Sequence, residues 1–539
     1  MEINKNETYN KKNEEDKKFG VNFFSITTPA TFISAEELGK ALNEDSNKIS
    51  KGLGFSEIHL PTFSTSNVTM TADVLYDFIK SIAEDKKQSE KFFDEPIKEI
   101  YFATESNDDL SRPEVSVALS IVYSKLLSED EHKYRPYIET FKRSEVKQVT
   151  FACAGGGLSL TDAVSRSALA YKLGRKESAI VITSDTAVYD AKRAPKAETT
   201  QGAATALLWI TSDPALESID YVTGFSAFNL PFSDFTKFGD RTPKVYGVFS
   251  ERGYVYGAAE VVMDIERKFK KNNKKLTDLD FLIAHVPFPK QAIYFATFLF
   301  EHHIKTNQKE FFEELQKRIG SDPLSYNHFV DIMDKKFKSF DQSKHGSIVD
   351  YISNDEEITA FWKWLAKIRE INKSNGEFKI KEFENFLRRY NIPDALELPS
   401  HVGNSYTSSV IISNASLLNS FIKKGVKEAK KGIIISYGSG KVIVGIPIEI
   451  NIKNSNNLHI NNIENNTIPL KASQYELIHD NLIKGDAART IVDINLLEID
   501  KKLLEKLPDG FHLLRRYEDG TADAVYVKNN KIEEIKPRY

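Results

Sequence analysis

The 539-residue chain has a single cysteine, and its surroundings are those of a reactive one. Cys153 lies in Thr150-Phe151-Ala152-Cys153-Ala154-Gly155-Gly156-Gly157-Leu158. Val146 to Ala152 reads as a buried strand, and Leu158 to Leu173 carries apolar residues at helical spacing. Cys153 therefore belongs on a sharp strand-to-helix turn, where small neighbours permit unusual torsions. Its sulfur would face the first amides of a helix, whose dipole favours thiolate over thiol. The plain alternative is a buried structural cysteine. Glu105, Asp185, His285 and Ser439 weigh against it, because each also follows a strand pattern. Open α/β sheets place their chemistry in the loops after such strand ends. Cysteine, histidine and asparagine (Cys153, His285, Asn404) are the set that thioester chemistry on coenzyme A or carrier proteins needs. The thiolate takes an acyl group, and imidazole and amide hydrogen-bond the carbonyl of a second thioester.

Those residues need a scaffold that brings distant strand ends together, and the pattern supplies one. Strands are expected at 22–27, 58–62, 99–104, 178–182 and 203–210. Helices are expected at 35–42, capped by Ser34, and at 71–83 and 113–127. The rhythm returns with a strand at 279–284, a helix at 291–300, a helix opening at His401 to Ser409, and strands at 432–435 and 441–450. Such alternation specifies an α/β protein with a largely parallel sheet. The stretch from about 301 to 399 is helix-rich and dense in charge and aromatic residues. Within it, Asp341 to Ile348 has the Gly and Ile offsets of a calcium loop. His345 and Ile352 stand where ligands are required, so it reads as a solvated turn. Asn451 to Thr467 is Asn-rich and reads as a surface hairpin or linker. Order returns from Ala472, ending in a hairpin over 511–527 with Asp519-Gly520 as its turn.

Composition narrows the class. Hydrophobic residues make up 41% and charged residues 28%, and the formal net charge is −4; this is a globular protein with no basic surface for nucleic acid or anionic membrane. One cysteine excludes a disulfide framework and a cysteine-rich zinc site, and fits a reducing, cytoplasmic setting. No apolar run reaches membrane-spanning length. Residues 1–19 are polar and read as a disordered tail.

Five motifs, in order, resemble those of the hydroxymethylglutaryl-CoA synthases of the thiolase superfamily. They are Ala103-Thr104-Glu105-Ser106; Ala152-Cys153; Ser184-Asp185-Thr186-Ala187-Val188-Tyr189 with Thr200-Gln201-Gly202-Ala203; His285-Val286-Pro287-Phe288-Pro289-Lys290; and Gly403-Asn404-Ser405-Tyr406-Thr407-Ser408-Ser409 with Ser436-Tyr437-Gly438-Ser439-Gly440. The resemblance spans about 23–448 and continues weakly to the C-terminus. It implies duplicated βαβαβ layers (α-β-α-β-α) with a helical insertion and a small C-terminal extension. The implied domains are an N-terminal half (20–270), a C-terminal half (271–450, insertion about 301–399) and a linker with extension (451–539). The implied reaction is a condensation of acetyl-CoA with acetoacetyl-CoA, without metal or other cofactor, in a homodimer with a possible thiolase partner, feeding the mevalonate pathway. In it Cys153 carries the acetyl group, Glu105 is the base and acid, and His285 holds acetoacetyl-CoA. Asn404 binds the acetoacetyl group, and the Cys153 and Ser439 amides form an oxyanion hole. Tyr189 and Thr200 belong to the substrate site, Asp185, Asp234 and Asp109 support it, and Lys290 contacts coenzyme A.

The chain departs from that pattern in places. Ala154 and Gly157 replace larger or polar residues after the cysteine, no proline precedes Thr200, and Phe235-Thr236-Lys237 matches only in part. These changes bear on the acyl pocket. The alternatives are a ketoacyl synthase or β-branching condensing enzyme that uses acyl carrier protein, and an inactive thiolase-fold scaffold. A decarboxylating ketoacyl synthase has no use for Glu105, and a scaffold has none for Glu105, Cys153 and His285 together.

Overall fold

The computed structural model describes residues 17–107, 109, 111–186, 188–189, 197–230, 232–237, 243–319, 326–373, 381–463, 467–484, 496–516 and 522–536. The first half comprises β1 (Phe19–Thr27), α1 (Asn67–Glu84), β2 (Ile97–Ala103), α2 (Val115–Phe141), β3 (Glu145–Val149), α3 (Gly155–Lys172), β4 (Ser178–Asp185) and β5 (Ala204–Ser212). Phe19, read as the end of the tail, is buried and opens β1. Residues 1–16 lie outside the described residues. The strand order is β3-β2-β4-β5-β1, with β2 parallel to β3 and β4, and β5 antiparallel to β4 and β1.

The second half repeats this plan. A short β6 (Glu217–Ile219) leads to β7 (Ser226–Asn229), α4 (Gly247–Lys271), β8 (Phe281–Ala284) and α5 (Pro289–Asn307), and later to α6 (Ser409–Lys423), β9 (Lys430–Gly438) and β10 (Val442–Ile450). The order β8-β9-β10-β7 has β8 parallel to β9 and β10 antiparallel to both β9 and β7. Order and polarity match β2-β4-β5-β1. Among the described residues nothing corresponds to β3. Its place between α5 and α6 goes to the insertion, with helices at Lys309–Ile319, Tyr326–Ser339, Glu356–Lys373 and Lys381–Arg389. Stacked Phe329 and Phe361 (ring centroids 4.5 Å apart) and Phe298 of α5 seat it on the second half. The calcium-like stretch is a turn here, with Asp341 capping helix Gln342–His345.

Period-2 alternation in the strands builds the layers. In β5, Ala204, Ala206, Leu208 and Ile210 share a core with α3 and α6, while Leu207 and Trp209 face α1 and α2. In β10, Val444, Ile446 and Ile448 join the same central core, and Ile443 faces α4. Helices α3 and α6 are therefore sandwiched between two sheet halves, and the expected five layers are present. β6 pairs with both β1 and β10, so the halves form one sheet folded round the central helices.

The C-terminal part corrects two expectations. Leu458–Asn461, within the stretch read as a hairpin or linker, extends the sheet as a strand parallel to β1. The terminal hairpin is a three-stranded sheet (Gly510–Arg516, Ala522–Lys528, Lys531–Ile535). The turn read at Asp519-Gly520 lies outside the described residues.

Candidate active site

The duplication decides where each candidate falls. Glu105 and His285 follow the equivalent strands β2 and β8, and Cys153 and Asn404 precede the equivalent helices α3 and α6. Asp185 ends β4, and Ser439 follows its counterpart β9. Folding the halves against each other gathers these strand ends.

Cys153 is buried on the expected turn. Strand β3 stops at Val149 and α3 starts at Gly155, so the turn is longer than the sequence suggests. Ala152 takes φ +40°, a left-handed torsion that costs a residue with a Cβ. The small run after it has a packing reason. A Cβ on Gly156 would lie 2.3 Å from the Thr407 carbonyl oxygen, and one on Gly157 would lie 2.4 Å from the Cβ of Ser436. The glycines let α3 press against the second half. Beyond β9 the same closeness recurs: a Cβ on Gly438 would lie 2.6 Å from that of Ala154. The half-exposed Ser439 therefore sits beside the cysteine turn.

The thiol of Cys153 donates to Glu105 Oε2 (Sγ···O 3.4 Å), and the Tyr189 hydroxyl donates to Glu105 Oε1 (2.7 Å). Burial, with the Asp185 charge second, raises the Glu105 pKa to about 7. Burial, then Glu105 and Asp185, pushes the Cys153 thiol well above its ordinary range. This corrects the thiolate expected from the helix dipole: desolvation and nearby carboxylates outweigh it. Tyr406, at φ +50°, packs edge-on against Tyr189 (5.6 Å), and both rings enclose Cys153.

Asp185 is a buttress. Its Oδ1 accepts from the amides of Glu105 (2.9 Å) and Ser106 (3.1 Å) and from the hydroxyls of Thr104 and Ser106. Its Oδ2 accepts from the amide (2.9 Å) and hydroxyl of Thr407, ahead of α6. One carboxyl group thus ties the Glu105 loop to the second half. Asn404 Oδ1 accepts from the Tyr406 amide (3.0 Å), and the Asn404 amide donates to the Thr200 carbonyl (2.8 Å). Gln201 Oε1 accepts from the Tyr189 amide (2.6 Å).

His285 is fully buried, and burial lowers its pKa to about 3, so the imidazole is neutral. Among the described residues its Nδ1 has no hydrogen-bond partner. The ring stacks on Tyr437 (6.1 Å), whose hydroxyl donates to Asp234 Oδ2 (2.8 Å). Asp234 Oδ1 accepts from the Gly440 amide (2.8 Å), which fixes the Ser439 loop. Two candidates stand apart from these contacts. Asp109 is engaged with Ser111 and Arg112, and Lys290 lies on the first turn of α5.

Sequence reading missed four residues. Tyr406 and Tyr437 sit inside quoted motifs and had that signal. Lys237, whose ammonium donates to the Glu105 carbonyl (2.7 Å), carried only a partial one. Lys441 follows Gly440 and carried none. Its amine is buried 3.0 Å from the centre of the Phe249 ring, without a hydrogen-bond partner among the described residues, and burial lowers its pKa to about 7.

No family model matches the chain. A hydroxymethylglutaryl-CoA synthase of Haloferax volcanii is 26% identical over 446 residues, covering 81% of this chain and 85% of the relative. In sequence the chain is similar to this hydroxymethylglutaryl-CoA synthase. Solved structures agree in fold. A hydroxymethylglutaryl-CoA synthase complexed with CoA superposes at TM-score 0.54 (20% identity, 86% of this chain, 90% of that one). MvaS in complex with 3-hydroxy-3-methylglutaryl coenzyme A superposes at 0.57 (19% identity, 97% and 100%). PksG from Bacillus subtilis, a hydroxymethylglutaryl-CoA synthase, superposes at 0.61 (14% identity, 95% and 100%). What the chain shares with the solved synthases is the fold.

Proposed function

We propose that the chain condenses acetyl-CoA with acetoacetyl-CoA to give 3-hydroxy-3-methylglutaryl-CoA through an acetyl-Cys153 intermediate. The observation that carries this reading is the carboxylate of Glu105 in contact with the Cys153 thiol, with a pKa raised to about 7. A base there reaches the methyl group of an acetyl carried on that sulfur. The Cys153 thiol attacks acetyl-CoA, the C–S bond to coenzyme A breaks, and coenzyme A leaves with the thiol proton. Ionised Glu105 then takes a methyl proton, and the resulting carbanion adds to the ketone of acetoacetyl-CoA. Glu105 returns the proton to the new alkoxide, and water cleaves the Cys153 thioester. The Cys153 and Ser439 amides stabilise the thioester oxyanion. Neutral His285 donates to the ketone, and Asn404, Tyr189 and Thr200 line the acetoacetyl site. Lys290 is assigned to coenzyme A, and Asp185, Asp234 and Asp109 hold the loops. The reaction uses side chains and thioesters alone and needs no metal or redox group. Its nucleophile needs a reducing compartment, which fits the cytoplasm and a supply of mevalonate for isoprenoids. A homodimer is part of the proposal.

Incubation with acetyl-CoA should add one acetyl group by mass spectrometry, and acetoacetyl-CoA should then discharge it. Cys153→Ala should take up none. Glu105→Gln should still acetylate, because loss of the neighbouring charge eases thiol ionisation. Its condensation should fall by about 10²–10⁴. Wild-type condensation should rise with pH through about 7 as Glu105 ionises. An unmodified wild type, or normal turnover by Glu105→Gln, contradicts the assignment. Acetyl groups accepted only from carrier protein would move the substrate, not the chemistry, to the β-branching class.

A further inference from the structure

The C-terminal extension reaches the active-site loops at a buried carboxylate. Glu198 opens the helical turn Glu198–Thr200 and is 3% exposed. Its Oε1 accepts from the Tyr475 hydroxyl (2.7 Å) and lies 3.4 Å from His479 Nδ1. Both partners belong to helix Ala472–Lys484, and both are buried. From Glu198 the chain leads directly inward. The Thr200 carbonyl receives the Asn404 amide, the Gly202 amide donates to the Asn404 carbonyl (3.0 Å), and Gln201 holds the Tyr189 amide. Tyr189 in turn donates to Glu105.

A second contact follows the same line. Tyr475, Ile478 and Leu482 share an apolar cluster with Ile33 and Leu38, and Val188 and Phe288 pack against it. Val188 precedes Tyr189, and Phe288 lies three residues after His285. The extension is also anchored elsewhere: Asp500 accepts from Thr62 and Ser64, and Asp73 from the Phe511 amide. The extension is therefore fixed to the body, and Glu198 and the cluster with Val188 and Phe288 are where helix Ala472–Lys484 meets the loops beside the site.

We propose that Tyr475 and His479 are positioning residues for the condensation step, holding Glu198 and thereby the turn that sets Asn404 and Tyr189. The proposal rests on the assignment of Glu105 as the base. A buried carboxylate that loses a hydrogen-bond donor must find water or move, and the turn moves with it.

The test separates the two half-reactions in the full-length protein, with Tyr475→Phe, Tyr475→Phe/His479→Gln and the exposed control Leu477→Ala. Tyr475→Phe should leave Cys153 acetylation within twofold of wild type, while condensation kcat falls tenfold or more. The pH midpoint of condensation should move upward, because a loosened Tyr189 no longer favours ionised Glu105. Hydrogen exchange at the Gly202 and Asn404 amides should accelerate in Tyr475→Phe and not in Leu477→Ala. Glu198→Gln, which keeps an acceptor for Tyr475, should retain more condensation than Glu198→Ala. Equal loss of both half-reactions in step with thermal stability, or an unmoved pH midpoint, overturns the proposal. A wild type that acetyl-CoA never modifies refutes the proposed reaction instead. In that case accelerated exchange at Gly202 and Asn404 still supports the positioning role, and unchanged exchange refutes it.

Discussion

Lys441 carries its amine into the core directly behind the Ser439 loop, with the face of Phe249 as its neighbour. Its pKa is about 7 in the fold, against an ordinary 10.5. Between those values the unfolded chain binds the extra proton, so this residue's contribution to stability improves as pH rises from 7 towards 10.5. Below pH 7 its charge is buried at full cost. Lys441→Met should therefore stabilise the protein by about 1–4 kcal/mol near pH 6, the range found when apolar side chains replace buried charges. The gain should fade towards pH 10; calorimetry across pH checks the slope, and a pH-independent effect would contradict it. From sequence this lysine only opens the strand expected over 441–450, because nothing local reveals that Gly253 leaves it room: a Cβ there would lie 2.6 Å from its Nζ. Glu105, Cys153 and His285 were legible for the opposite reason. Each comes after a strand, and each is of a residue type with few other uses there.

At the scale of elements, the contact of α3 with β9 explains the run Ala154 to Gly157. The sequence departure reads as a change in the acyl pocket, whereas the structure shows Gly156 and Gly157 serving the packing of two layers. Gly157→Ala should cost about 1–3 kcal/mol, the usual penalty of overpacking. Ser436→Gly in the same chain should return part of it, measured by chemical denaturation as a double-mutant cycle. Simple additivity would show that the two positions do not oppose each other. The strands of each half were legible from alternation and apolar runs. The parallel strand Leu458–Asn461 was not, because its pairing with β1 is a contact between the two ends of the chain. Tyr475 and Glu198, 277 residues apart, escape sequence reading for the same reason.

Across the whole molecule, the unequal repeats leave two different margins. In the second half, the amide of Leu282 on the outermost strand donates to the Tyr390 carbonyl (3.0 Å), so the insertion closes that side. In the first half, β3 ends the sheet, and among the described residues no further strand pairs with it. An unsealed strand at both margins would let copies add at either side without limit. With one margin of the main sheet closed, the proposed homodimer would dock through β3 of each copy and so use the open margin of that sheet on both partners. Light scattering should find a two-subunit particle whose mass is unchanged by further concentration; a series of larger species would show that another surface drives association. In the proposed homodimer, the strand missing from the second repeat would therefore act on more than the fold of a single chain, since it would set a ceiling on assembly.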